Sequence, residues 1–228
     1  MSPTRPGPEL WAWPIFPLGG GGGAQRGPSA WELTLGPIGD HGHPRLRPSP
    51  PAGEGAVHQV RSCLKASASL GPVVVLPWAV RSADDAERLL ELLAACERRP
   101  RTEVAVPVAP AGFVAESAQR VAEAGYRLAA AGEPYLHRSA IDRLSLRAGD
   151  MVLLAPVPDR APAPWLRDLA ALGRGRAATV ARAVSSRRLA GALAEAGVTH
   201  ANGGVLGPPL RAPLLPASRP GHGDGPYP

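Results

Sequence analysis

From residue 72 to residue 201 the chain alternates short apolar runs with longer segments whose apolar residues recur at helical spacing. Strands are expected at 72–78 (PVVVLPW), 103–108, 126–130, 151–155, 177–181 and 198–201, and helices between them at 83–98, 113–124, 139–146, 163–172 and 186–196. Runs that are apolar throughout belong to strands buried on both faces, and helices between successive strands make parallel βα units with both faces of the sheet covered. The 83–98 helix has the clearest ends. Ser82 is a good N-cap, Asp84 and Asp85 favour the positive end of the dipole, and Arg98 and Arg99 close the helix before Pro100.

Ahead of this pattern lie a helical stretch at 56–70, with Val57, Val60 and Leu64 on one stripe, and two further apolar runs. In LWAWPIFPL (10–18), Pro14 and Pro17 withhold backbone donors, so an edge or irregular strand is expected. SAWELTL (29–35) alternates well enough to be its antiparallel partner. Counting this hairpin gives eight strands, the number that closes a barrel. The competing architecture is an open doubly wound sheet. Its Gly-x-Gly-x-x-Gly signature is absent, because Gly19 to Gly23 run into AQRGP and then a strand.

The chain has 228 residues, 44% of them apolar, which suits one domain with a substantial core. Its 27 glycines and 28 prolines crowd the two ends, so residues 1–10 and 216–228 are expected to be disordered tails around a domain at 11–215. The net charge of +6 comes from 25 basic and 19 acidic side chains, and Lys65 is the only lysine. The arginines are scattered rather than arranged in a stripe with interleaved aromatics, so nucleic acid is not an expected partner. Cys63 and Cys96 lack metal or redox spacing and read as buried hydrophobes. No apolar run reaches about 18 residues, so a cytoplasmic chain without membrane contact is expected.

The stretch GVTHANGGVLGPPL (197–210) follows an alanine-rich helix with a strand and a glycine-rich turn. Gly203, Gly204 and Gly207 suit a backbone that crosses closely over another segment. This stretch resembles the closing segment of EAL domains, the bacterial cyclic di-GMP phosphodiesterase family. Asn202 stands at the family's glutamine, and Gly203, Gly207, Pro209 and Leu210 match. Further landmarks follow in order: WPIFPL resembles the opening strand, WELTL the strand that names the family, with its glutamate on Glu32, and His43-Pro44, Leu46 and Ser49-Pro50 the loop after it. The resemblance spans residues 11–215. It implies a TIM-like (β/α)8 barrel of α/β class with an antiparallel first strand, and cyclic di-GMP as a candidate ligand.

The same resemblance implies two divalent metals held by carboxylates and an asparagine at the carboxyl ends of the strands. Hard cations need several oxygen ligands, and two close together need several carboxylates to offset their repulsion. Along this chain the implied ligand positions fall on Pro77, Val106 or Pro107, Ala131, Gly132, Leu153, Ala155, Arg182 and Ser185, and Gly36 takes the place of a phosphate-engaging arginine. Only Glu32 and, amide for amide, Asn202 persist; Glu133 would need a local shift to supply another carboxylate. No two-metal centre and no resident cofactor are therefore expected, with Mg or Mn entering only if residual phosphodiesterase activity survives. Glu32, Arg182 and Asn202 are the candidate ligand-binding residues. Arg182 could pair with Glu32 in the former metal site or meet a phosphate. The expected role is a catalytically inactive barrel that acts as a nucleotide receptor or protein-interaction module. Asp40, His41 and His43 form a DHGH cluster without further ligands at recognisable spacing, and His222 and Asp224 read as solvated tail residues.

Overall fold

The computed structural model describes residues 9–19, 27–36, 47, 49–96, 102–109, 115–131, 138–173 and 175–212. Its elements are β1 (Leu10–Pro17), β2 (Ala30–Leu35), α1 (Ala56–Ser67), β3 (Val73–Val75), α2 (Ala83–Ala94), β4 (Glu103–Val108), α3 (Ala115–Glu123), β5 (Arg127–Ala131), α4 (Arg138–Arg143), β6 (Met151–Leu154), α5 (Ala163–Ala170), β7 (Ala178–Ala181), α6 (Arg187–Glu195), β8 (His200–Ala201) and β9 (Leu210–Ala212). Strands β2 to β8 pair in sequence order, all parallel. β1 is antiparallel to both β2 and β8 and so closes the sheet into a barrel. The expected barrel with an antiparallel first strand is what forms, and one strand more than the eight expected, β9, lies against β1.

The opening strand corrects the sequence reading. β1 is not an edge: Leu10 to Ile15 pair with β2 on one side, while on the other Leu10 to Ala12 pair with β9 and Phe16 and Pro17 with β8. Gly36 N donates to the Glu9 carbonyl and Leu18 N to the Thr199 carbonyl, so odd positions of β1 face β2 while even positions face β8 and β9. Pro14 therefore turns its missing N–H toward the gap between Ala12, where pairing with β9 ends, and Phe16, where pairing with β8 begins. Pro17 faces β2 beyond Ile15, the last position of that ladder. Each proline sits where no ladder bond is lost, which is how a central strand tolerates two of them.

The buried residues divide into two sets. Ile15, Ala30, Val73, Val75, Ala105, Ala129, Ala131, Met151, Leu153 and Val180 pack together inside the barrel. Alternate positions on the same strands, such as Trp31, Val74, Val106, Leu128 and Val152, join the apolar faces of the helices outside. The many lumen alanines leave room for Met151, Leu153 and Trp13 in a space that side chains must fill.

Helix ends follow their local signals. The hydroxyl of Ser82 accepts from Asp85 N at 3.2 Å and that of Ser186 from Leu189 N at 3.1 Å, each capping the helix that follows. α2 ends at Ala94, short of the expected residue 98; Arg98 and Arg99 lie outside the described residues. α1 stops at Ser67 rather than 70, and α4 at Arg143 rather than 146, just ahead of Ser145 with its positive φ of 49°. β3 keeps only three of the seven residues expected of it, although Trp78 and Val80 continue the line through isolated bridges to Arg47 and Val108. Residues 40–43, 133 and 222–224, singled out above, fall outside the described residues, as do the tails beyond 9 and 212. Cys63 and Cys96 are buried and unpaired by disulfide, and burial pushes the Cys63 thiol far up. Among the described residues no helix is long and apolar enough to cross a membrane.

Candidate functional site at the barrel mouth

Parallel barrels collect function at the carboxyl ends of their strands. In β2, Ala30 belongs to the lumen cluster, so alternation carries Glu32 and Thr34 inward with it. In β7, Val180 faces inward and Arg182 follows on the same side; Asn202 comes directly after β8. Residues 150 and 170 positions from Glu32 are thereby delivered to it.

The three residues proposed from sequence meet. Glu32 is fully buried and its Oε2 accepts from Asn202 Nδ2 at 2.8 Å and from Arg182 Nε at 3.2 Å. Arg182 Nη2 lies 2.7 Å from Glu32 Oε1. That second approach is a charge contact without hydrogen-bond alignment, which leaves Oε1 a buried acceptor that lacks a directed donor. The Arg182 side chain is 12% exposed and that of Glu32 is not exposed at all.

Asn202 is held from three directions. Its Oδ1 accepts from Ala183 N at 3.0 Å, its backbone N donates to Ala181 O, and its carbonyl accepts from Val184 N, both at 2.9 Å. The Ala183 N–H demands oxygen on one side and the Glu32 carboxylate demands NH2 on the other, so the amide orientation is determined by its partners. Sequence reasoning missed the cost of this clamp: Ala183 adopts φ 59°, a left-handed conformation unusual for a side chain with a Cβ. It also missed Trp13, which is paired with Glu32 across β1 and β2 and donates from Nε1 to Thr34 Oγ1 at 3.3 Å. The period-two alternation of WELTL was the available signal for Thr34.

The glycine-rich turn crosses the loop after β7. A Cβ on Gly203, whose φ is 151°, would lie 2.3 Å from the Val184 carbonyl oxygen, so only glycine fits. A Cβ on Gly207 would lie 2.9 Å from the Phe16 ring. Gly204, grouped with them from sequence, has open space instead, and the Pro-Pro-Leu exit leads into β9 rather than out of the fold.

Ser185, another implied ligand position, turns elsewhere. With Ser186 it donates to Asp159 Oδ1, each at 2.8 Å, and these two hydroxyls hold the Asp159 carboxyl below the usual carboxylate range. Of the other implied positions, Pro77, Pro107, Ala131 and Leu153 are buried and Ala155 half-buried, all without side-chain oxygen; Val106 points outward into the helix layer, and Gly132 lies outside the described residues.

These residues do not fit a pair of divalent cations. Among the described residues one carboxylate is present, both of its oxygens already face cationic or N–H donors, and the Asn202 oxygen is turned onto a backbone N–H. Among the described residues no group of three or more His, Cys, Asp or Glu side chains is placed to hold a metal ion. A cavity of about 350 Å3 lies between α4 and the 3-10 turn Ala171–Gly173, with Ile141, Asp142, Leu172 and Arg176 in its lining and none of the trio.

No family model and no curated protein matches the chain. Solved structures do. The EAL domain of Mycobacterium smegmatis DcpA superposes with a TM-score of 0.60 at 16% identity, over 90% of this chain and 92% of that one. The EAL domain of Pseudomonas aeruginosa FimX bound to c-di-GMP gives 0.58 at 16%, over 89% and 90%. The Bacillus subtilis YkuI protein, with an EAL domain and solved with substrate c-di-GMP and calcium, gives 0.63 at 15%, over 90% of this chain and 55% of that one. At such identities the likeness speaks for architecture, and the chain has the fold of the EAL domains.

Proposed function

We infer that the chain is a catalytically inactive EAL-fold module of cyclic di-GMP signalling that works by binding. The unit that binds is the barrel at 11–215, acting in the cytoplasm of a bacterium. The observation that carries this reading is the ion pair at the mouth: Arg182 grips Glu32 where metal-assisted attack on a phosphodiester would need oxygen ligands around cations. The nucleotide enters through the likeness to barrels solved with c-di-GMP. Arg182, whose 12% exposed side chain is the cation of the trio, is the group that a phosphate of an incoming ligand would meet.

Calorimetric titration with c-di-GMP, in Mg or Mn and again in chelator, tests the proposal alongside chromatography for the linear dinucleotide. Binding of equal strength in both buffers without turnover is the expected result for a receptor. No binding and no turnover leaves the protein-interaction role. Metal-dependent formation of linear product would reverse the reading and restore a phosphodiesterase built on Glu32.

A further inference from the structure

We propose that Arg182 is a resident cation, a guanidinium tethered to the end of β7 that neutralises Glu32 inside the barrel and makes closure of the mouth independent of any added metal ion. Glu32 is fully buried on an inward position of β2. A carboxylate taken out of water costs several kcal/mol unless charge and hydrogen bonds are returned to it. The inward positions at the ends of β3 to β6, Pro77, Pro107, Ala131 and Leu153, carry no polar side-chain atom, and Trp13, opposite Glu32, gives its N–H to Thr34.

Arg182 returns the charge, with Nη2 at 2.7 Å from Oε1, and its Nε and the Asn202 amide return hydrogen bonds to Oε2 at 3.2 and 2.8 Å. An edge-on guanidinium spans both oxygens of a carboxylate as a single cation would, yet being part of the chain it needs no free ion in solution. Through Glu32 it also ties β2 to the β7 and β8 ends, which no ladder joins directly. The inference concerns what holds the mouth together, and it stands whether or not the barrel binds a nucleotide.

The test is thermal unfolding without nucleotide. Wild-type protein should melt at the same temperature in chelator and in Mg or Mn. Arg182→Ala should lower Tm by on the order of 10 °C, as loss of one partner of a buried pair does. Millimolar guanidinium chloride, set against sodium chloride of equal ionic strength, should return part of that loss in Arg182→Ala and shift neither wild type nor Glu32→Gln/Arg182→Ala. Glu32→Gln/Arg182→Met, with no charge left to bury, should melt above either Arg182→Ala or Glu32→Gln alone. If Arg182→Ala does not fold, the Gln/Met double variant decides: folded, it supports the proposal; unfolded, it overturns it. A wild-type Tm that drops in chelator, an Arg182→Ala variant that melts like wild type, or an equal guanidinium response in all variants would each overturn it too.

Discussion

Among the described residues the barrel buries one carboxylate at each end, and the two are met in opposite ways. At the mouth, Glu32 is met by side chains that arrive from far along the chain, one of them charged. At the other end, Asp150 just ahead of β6 is 6% exposed and is met by backbone: its Oδ1 accepts from Leu128 N at 2.9 Å and its Oδ2 from Arg147 N at 2.6 Å. Beside it Arg127 donates to Gly149 O at 2.9 Å and pairs with Glu103, linking the starts of β4, β5 and β6. Backbone donors cannot be exchanged for a ligand, so the Asp150 arrangement is architectural. At the mouth the donors are side chains instead, and their placement depends on the loop after β7 and the glycine-rich turn.

The comparison breaks most readily at the clamp that positions Arg182 and Asn202. Gly203→Ala forces a Cβ against the Val184 backbone, and neither strand end can move without disturbing Asn202. A loss of about 3 kcal/mol is expected from the clash and the unfavourable φ. Gly204→Ala, next to it but in open space, should change stability by less than about 0.5 kcal/mol. Urea unfolding of the two variants checks the contrast; equal losses would mean that the turn does not bear on the loop after β7.

Asp150→Ala sharpens the contrast at the opposite end. It strips the buried Leu128 N–H and the part-buried Arg147 N–H of their acceptor and should cost about 2 kcal/mol. Because the mouth lies at the other end of the strands, the double variant with Gly203→Ala should lose the sum of the two single losses within about 0.5 kcal/mol. A larger departure in denaturant titrations would show that the two ends are not independent.

Ser186→Ala removes both the cap of α6 and one of the two hydroxyls on Asp159. A stability loss of about 1 kcal/mol is expected for the cap. The Asp159 carboxyl should then titrate closer to its ordinary range, which carboxyl-carbon NMR across the acid range would read. A carboxyl that titrates as before would assign the whole effect to Ser185.

Much of this was legible because barrels write their order along the chain. Alternating apolar runs and amphipathic helices gave the parallel units, and the caps at Ser82 and Ser186 act as their residue types suggest. Pro14 and Pro17 misled because a proline excludes a ladder bond, not a strand, and which bonds a strand needs depends on where its neighbours stop. β9 was hidden because three residues after Pro-Pro carry too little pattern to register. Glu32, Arg182 and Asn202 could be nominated together only through the family resemblance. Nothing local in WELTL, VARAV or HANGG says that 150 residues of intervening chain bring them within hydrogen-bonding distance. The left-handed Ala183 could not be read at all, since its conformation is imposed by Asn202 and Gly203 rather than by its own residue type.

The smallest expected effect comes from His200, two positions before Asn202 and paired with Pro17 on β1 and Val180 on β7. Thr199 Oγ1 gives its proton to the Thr179 carbonyl at 3.0 Å, so the 2.9 Å contact with His200 Nδ1 requires the proton to be on Nδ1. Burial holds the His200 pKa below its ordinary value. The unfolded chain therefore takes up a proton at a pH where the folded chain still refuses it. Stability from this residue is present above about pH 6.5 and is lost as pH falls from there to the folded-state pKa, with no further loss below it. Unfolding midpoints should decline across that interval in the wild type and decline less in His200→Gln. Within that interval the slope should be the same in Asp150→Ala, which leaves the imidazole and its Thr199 contact in place. If the two substitutions alter the slope together, the ends of the barrel are coupled through β8 and the division drawn between them fails.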